Sequence, residues 1–184
     1  MFGVGDTVLY GSQGVCRIVG TDEKELGDTV VQYYVLKPFG DENSTVFVPL
    51  SNKELVSKMR SVMSSDEIHG MIKEMPDEET MWIEDDNQRK QKYHEVLLEG
   101  DRKKLVRLIK TLHIREEIQN KKGRRLHQSD EMVLKQAEKL LYGEFAAVLH
   151  IKPEEVLPMI LAEIEIMSTA IPATLDGGSR LTKA

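Results

Sequence analysis

The sequence predicts an α+β protein in which a small N-terminal β barrel of the SH3 or Tudor type is followed by an all-α helical domain. The first fifty of the 184 residues consist of short β-branched and aromatic runs separated by turns that contain glycine. Beyond Pro49, apolar residues recur three or four positions apart, as they do on one face of a helix. We therefore assign residues 1–58 to the barrel, 59–167 to the helical domain and 168–184 to a disordered tail.

The N-terminal part is predicted to contain four strands. They cover residues 7–10, 15–19, 30–37 and 45–48, and Gly27-Asp28 marks a tight connection between the second strand and the third. A sheet this small cannot be covered on both faces. A strongly twisted barrel, which closes its own edges, is therefore the expected arrangement.

Five helices are predicted in the second part, over residues 66–75, 87–99, 101–123, 130–149 and 153–167. Ser65 and Ser129 are the expected N-caps of the first and the fourth helix. Gly100 is expected to end the second helix, and Pro153 suits the first position of the last one. From residue 168 onwards, small and polar residues without a period predict disorder.

Charge is unevenly distributed along the chain, whose formal net charge is −6. Residues 88–125 carry 13 Lys or Arg against five acids, whereas the rest carries 12 against 26. An acidic protein can therefore still present a basic surface to phosphates.

The sequence argues against an enzyme and predicts no cofactor and no metal site. It contains no nucleotide-binding glycine loop and no HExxH motif, and its five histidines are scattered. The single cysteine, Cys16, lies in a strand run and is predicted to be an inert core residue. Without a membrane-length apolar run or a secretory signal pattern, the chain is expected to be soluble and cytoplasmic.

The single tryptophan, Trp82, is the most distinctive candidate for a binding residue, because it is flanked by acids and directly precedes the basic segment. Two interpretations remain open. The indole either anchors the linker on the helical core or is an exposed apolar wedge of the kind that minor-groove binders insert between base steps. The candidate phosphate contacts around it are Arg89, Lys90, Lys92, Arg124 and Arg125.

The residues also resemble a known family. The run VGDTVLYGSQGVCRIVG, with VVQYYVLKP and STVFVPL, resembles the RNA polymerase-interacting domain shared by CarD/CdnL regulators and the bacterial transcription-repair coupling factor. The second half carries W-x(6)-R, the run LIKTL and then LHQSDEMVLKQAEKLLYGEFA, and it is similar to the C-terminal helical domain of that family. The resemblance covers roughly residues 2–166.

The resemblance implies a Tudor-like domain that docks on the RNA polymerase β subunit, through positions that fall on Lys24, Leu26 and Tyr33. It also implies that the helical domain reaches promoter DNA at the upstream edge of the bubble, without base recognition. There the family's tryptophan, which falls on Trp82, wedges into the minor groove and stabilises the open complex.

In this family pattern a DNA-contacting lysine falls on Glu131, and Arg124 and Arg125 are the expected substitutes. A monomer is expected. The alternative is a protein–protein adaptor that docks on RNA polymerase without direct DNA contact, and this alternative predicts a buried Trp82.

Overall fold

The N-terminal part of the chain forms a five-stranded antiparallel sheet in the computed structural model, which describes residues 2–27, 29–41 and 43–170. The strands are β1 (Thr7–Tyr10), β2 (Val15–Leu26), β3 (Thr29–Pro38), β4 (Val46–Pro49) and β5 (Met59–Ser61). All four predicted strands are present. The second and the third are longer than expected because their pairing continues as far as Leu26 and Thr29.

The sheet is open, so the predicted SH3- or Tudor-like barrel is not confirmed. The strand order is β4-β3-β2-β1-β5, and among the described residues no pairing joins the two outer strands. The α+β class itself agrees with the structure. Strand β5 and the short helix α1 (Lys53–Ser57) were not predicted, since elements of three and five residues are too short to reveal a period.

One face of the sheet forms a small core. Val8, Ile18 and Leu36 are fully buried there, and residues of α1 pack against the same cluster. Cys16 is also buried, as predicted, and this burial raises the pKa of its thiol to about 11. Because side chains alternate along a strand, the opposite face of the same strands points away from this core.

The second part of the chain contains the five predicted helices. They are α2 (Ser65–Glu74), α3 (Asp86–Glu99), α4 (Arg102–Lys121), α5 (Gln128–Leu149) and α6 (Pro153–Ala170). Gly100 ends α3 in the left-handed conformation, as expected. Residues 171–184, which make up most of the predicted disordered tail, lie outside the described residues.

Two predicted N-caps are wrong. Ser64, and not Ser65, caps α2, because its hydroxyl accepts from the Glu67 backbone N–H while the Glu67 carboxylate accepts from the Ser64 backbone N–H. This reciprocal pair requires a glutamate three positions after the serine, a spacing that Ser64 has and Ser65 lacks. For α5, the His127 ring accepts from the Ser129 backbone N–H, so His127 is the cap.

The helices share a second core, separate from that of the sheet. Its largest fully buried side chains are Tyr93, Phe145, Ile68, Ile72, Leu108, Leu112 and Leu141. No helix in the described ranges combines the length and the apolar character that a membrane span requires.

A buried carboxylate connects the sheet to the helices. Glu144 on α5 accepts hydrogen bonds from the Met63 backbone N–H at 2.8 Å and from Arg102 Nη2 and Nε at 2.7 and 2.9 Å. Arg102 also donates to the Ser61 carbonyl, at the end of β5. A buried charge is retained only when its hydrogen bonds are satisfied, so this cluster holds the end of the sheet against α4 and α5.

We expect Glu144→Gln to lower the free energy of unfolding by about 1–3 kcal/mol, because the charged hydrogen bonds to Arg102 weaken while the shape is kept. Urea denaturation followed by circular dichroism measures the change. Glu131→Gln, which removes an ion pair between the half-exposed Glu131 and the exposed Lys135 on the same helix, is the matched control and should leave the midpoint unchanged. Equal midpoints for both variants would contradict the assigned role of Glu144.

Candidate functional site

The outward face of the sheet carries a compact group of a cation and two aromatic rings. Lys24 Nζ lies 3.6 Å from the centre of the Phe47 ring and 5.9 Å from that of Tyr33. The two rings meet edge to face with their centres 6.3 Å apart. Phe47 is 40% exposed, so part of its ring faces solvent. We name Lys24, Tyr33 and Phe47 the sheet-face cluster.

The structure brings together two of the three residues that the sequence predicted for polymerase contact, Lys24 and Tyr33. The backbone of the third, Leu26, pairs with Thr29 at the end of β2, but its side chain lies outside the described part of the structure. Phe47 was missed. A signal for it exists, because Val48 is a core residue and its neighbour along a strand must face the other way.

The far end of β2 has an unpaired backbone edge. Strand β1 pairs only with residues 15–17 of β2, whereas the pairing of β2 with β3 continues through Leu26. Along residues 21–26, the edge of β2 opposite β3 has no partner strand among the described residues. Such an edge can accept a further strand through main-chain hydrogen bonds, and it adjoins the sheet-face cluster.

Trp82 lies in the segment before α3, and its indole contacts two arginines. The Cζ atoms of Arg89 and Arg115 lie over the ring at 4.4 and 3.9 Å from its centre. Trp82 is partly buried and packs against the helical core. We call this arrangement the Trp82–arginine stack. An arginine over an indole contributes about 0.5–2 kcal/mol.

The stack leaves one polar group unsatisfied. Trp82 Nε1 is buried and has no hydrogen-bond partner in the described part of the chain. The indole N–H can only donate, and burying such a donor without an acceptor costs about 1–3 kcal/mol. The stabilisation from the two arginine–indole contacts and the cost of the unsatisfied N–H are therefore of similar size.

Arg89 was predicted as a DNA contact, but the structure places it inside the protein, where it is only 6% exposed. Its guanidinium binds the buried Asp130 through Nε and Nη2, both at 3.3 Å, and Asp86 at 2.6 Å. It also donates to the carbonyl of Ile83 at 2.9 Å. Arg89 therefore holds Trp82 and its segment against α5 and is not available to bind a phosphate.

Lys90 and Lys92 lie on the exposed surface of α3, and each is paired with an acid. Lys90 binds Asp86 at 2.6 Å, and Lys92 binds Glu95 at 3.2 Å. The strong pairing with Lys90 lowers the pKa of the Asp86 carboxyl, so Asp86 stays ionised. Both lysines could reach a phosphate, but they would have to leave these partners.

Most basic residues of α4 are also bound within the protein. The ion pairs are Arg102 with Glu144, Lys103 with Glu74, Lys104 with Glu99, Arg107 with Glu78 and Arg115 with Glu84. The Lys110 ammonium donates to three backbone carbonyls between residues 75 and 78. The excess positive charge of this segment is thus largely neutralised by acids and carbonyls.

Four cations at the turn between α4 and α5 are different. Lys121, Lys122, Arg124 and Arg125 are exposed, and none of their side chains has an ion pair or hydrogen bond with another described residue. Two of the predicted DNA contacts, Arg124 and Arg125, belong to this group, which we call the turn cations. Asp130, which binds Arg89 beneath Trp82, lies in the first turn of the helix that follows.

The described residues include no group of three or more His, Cys, Asp or Glu that could hold a metal ion. What the structure offers is two surfaces on different parts of the chain. One is the sheet-face cluster beside an open strand edge, and the other is the set of turn cations near the Trp82–arginine stack.

The comparisons with known proteins assign both halves of the chain. Residues 2–62 match the family described as CarD-like/TRCF RID domain, and residues 70–161 match the family described as CarD, C-terminal domain. A search of curated proteins finds no match. The two family matches occur in the expected order and together span most of the sequence, and such domains point to a transcription regulator that interacts with RNA polymerase. The chain belongs to the CarD/CdnL family.

Proposed function

We propose that this protein docks on the β subunit of RNA polymerase through its sheet and contacts promoter DNA through the helical part, at the upstream edge of the bubble. There it stabilises the open complex. The observation that carries the proposal is the placement of the turn cations, whose side chains have no ion pair or hydrogen bond among the described residues. They directly precede α5, whose first turn holds Arg89 against Trp82 through Asp130.

The sheet-face cluster suits a protein partner. Aromatic side chains that are exposed in the free protein are typical anchors of protein interfaces. The adjacent edge of β2 offers main-chain donors and acceptors to a strand of the partner. Lys24, which lies between two acids in sequence and over Phe47 in space, adds a positive charge that can select an acidic residue on the β subunit.

The turn cations suit the phosphate backbone of DNA. Contacts between these side chains and phosphates position a protein on DNA without reading the base sequence. Four cations alone give weak binding, but docking on polymerase raises the local concentration of DNA. Contacts worth a kcal/mol or two are then enough to shift a near-balanced equilibrium between closed and open complexes about five- to thirtyfold.

An adaptor that binds polymerase and a second protein, without DNA contact, is the second candidate. The observation in its favour is that Trp82 is partly buried and that most cations of α4 are already paired. Footprinting of a promoter complex with and without this protein separates the two candidates. New protection at the upstream edge of the bubble supports DNA contact, and an unchanged footprint supports the adaptor.

We expect Lys24→Glu to weaken binding to the isolated β lobe by about tenfold, because it reverses the charge over the two aromatic rings. Phe47→Ala should weaken binding to a similar extent by removing the exposed ring. Surface plasmon resonance measures both affinities. Lys73→Glu, the same charge change on the exposed surface of α2, is the control. If all three variants bind like the natural sequence, the sheet-face cluster is not the docking surface.

We expect the double variant Arg124→Gln/Arg125→Gln to bind duplex DNA more weakly and with less salt dependence. Each lost phosphate contact should reduce the slope of log K against log salt by about 0.9. Fluorescence anisotropy over a salt series gives the slopes. Lys53→Gln/Lys73→Gln removes the same charge from α1 and α2 and should keep the natural slope. Equal slopes for both double variants would exclude the turn cations as specific phosphate contacts.

We expect Trp82→Ala to shorten the lifetime of the open complex about fivefold while leaving affinity for polymerase unchanged, because the indole is the proposed contact with opened DNA and is not part of the sheet-face cluster. Dissociation after addition of a competitor gives the lifetime. Leu98→Ala, which removes a 63% exposed apolar side chain from α3, is the control. A lifetime that Trp82→Ala does not alter would remove the indole from the proposed function.

A further inference from the structure

The two arginines of the Trp82–arginine stack are held very differently. Arg89 is 6% exposed. Its guanidinium binds the buried Asp130, and it also binds Asp86 and the Ile83 carbonyl. Among the described residues, Arg115 forms an ion pair only with Glu84, whose side chain is 86% exposed, and the two groups lie 3.4 Å apart. One side of the stack is therefore fixed, and the other is held by a weak surface pair.

The backbone around Trp82 is anchored on both sides. The Met81 N–H donates to Thr111 Oγ1 at 2.8 Å, and the Ile83 carbonyl accepts from Arg89 at 2.9 Å. A rotation of the Trp82 side chain can therefore move the indole outward while both of these hydrogen bonds are kept. A displacement of the whole segment would break them.

The stacked position leaves the N–H of the indole without a hydrogen bond. Its buried Nε1 has no acceptor among the described residues. The minor groove of DNA offers acceptors on every base pair, namely adenine N3 and thymine or cytosine O2. An indole that leaves the stack for the groove can gain the hydrogen bond that it lacks inside the protein.

Arg115 is also well placed to meet DNA. It lies six residues before Lys121, the last residue of α4, and seven before Lys122, the C-cap, so fewer than two turns of helix separate it from the turn cations. Lys122 belongs to the turn cations. A DNA backbone that contacts this turn can therefore continue towards Arg115, and a phosphate can replace Glu84 as its partner with two parallel hydrogen bonds.

We propose that Arg115 is a positioning residue that keeps Trp82 stacked in the free protein and releases it when a DNA phosphate displaces Glu84. The proposal rests on the proposed function, since it concerns how the indole becomes available to the bubble. In the free protein the indole stays packed against Arg115 and the helical core until a DNA phosphate binds Arg115. The apolar side chain is therefore not fully exposed to unrelated partners.

The release of the indole can be measured without DNA, because Trp82 is the only tryptophan in the chain. Acrylamide quenching of its fluorescence should be weak in the natural protein and at least about twofold stronger in Arg115→Gln, which loses one cation–π contact. Arg115→Lys keeps the charge but not the planar group and should give an intermediate value. Arg124→Gln, with the same charge change on a turn cation, should match the natural protein. Identical quenching in all four proteins overturns the proposal.

The second measurement compares affinity for a fully paired duplex with affinity for the same duplex carrying an unpaired bubble. Arg115→Gln should bind the paired duplex more weakly, yet its preference for the bubble should rise about threefold because the indole is already free. Arg115→Lys should keep near-natural affinity for the paired duplex. Circular dichroism and the thermal midpoint confirm that each variant is folded.

The outcomes separate this proposal from the proposed function. Stronger quenching in Arg115→Gln together with a higher bubble preference supports release by Arg115. If Trp82→Ala lowers the preference for the bubble but Arg115→Gln leaves it unchanged, the proposed release is overturned. In that case the indole acts as a wedge without being released by Arg115. If Trp82→Ala also leaves the preference unchanged, the wedge of the proposed function fails, and gated release fails with it.

Discussion

The buried ion pair between Arg89 and Asp130 is the interaction on which the arrangement of the helical part around Trp82 depends. It joins α3 to the first turn of α5, and the same guanidinium binds the carbonyl of Ile83. Two charges removed from water stay paired only if their remaining hydrogen bonds are also satisfied, and Asp86 completes the set for Arg89. Because these bonds fix Arg89, they also fix the surface against which the indole packs.

A second constraint is the balance of charge inside the helical part. The acids that make the protein acidic overall lie close to its basic helices, as in the pairs of Glu78 with Arg107 and of Glu74 with Lys103. Local neutralisation leaves a small basic surface at the turn between α4 and α5. A small surface favours weak, salt-sensitive contact with phosphates, and such contact becomes useful only when another interaction holds the protein near DNA.

The sheet-face cluster and the turn cations lie on different parts of the fold, and Glu144 connects these parts. Its bonds to Arg102 and to the Met63 backbone hold the last strand close to α4 and α5. A protein that binds two partners at once gains from such a connection, because a stiff link narrows the positions that the second surface can take after the first has bound. This connection suits the bridging function that we propose.

Local patterns in the sequence determined the α+β class, four strands and five helices, since a hydrophobic period depends only on neighbouring residues, and they singled out Trp82 as a candidate binding residue. The family resemblance implied Lys24 and Tyr33 as contact residues, and the pairing of β2 with β3 brings these two side chains together. Only the tertiary structure decided that Arg89 is buried, that Phe47 joins the outward face and that the sheet stays open. It also decided which cations remain unpaired, because their acidic partners often lie about thirty residues away and meet them only after the helices pack.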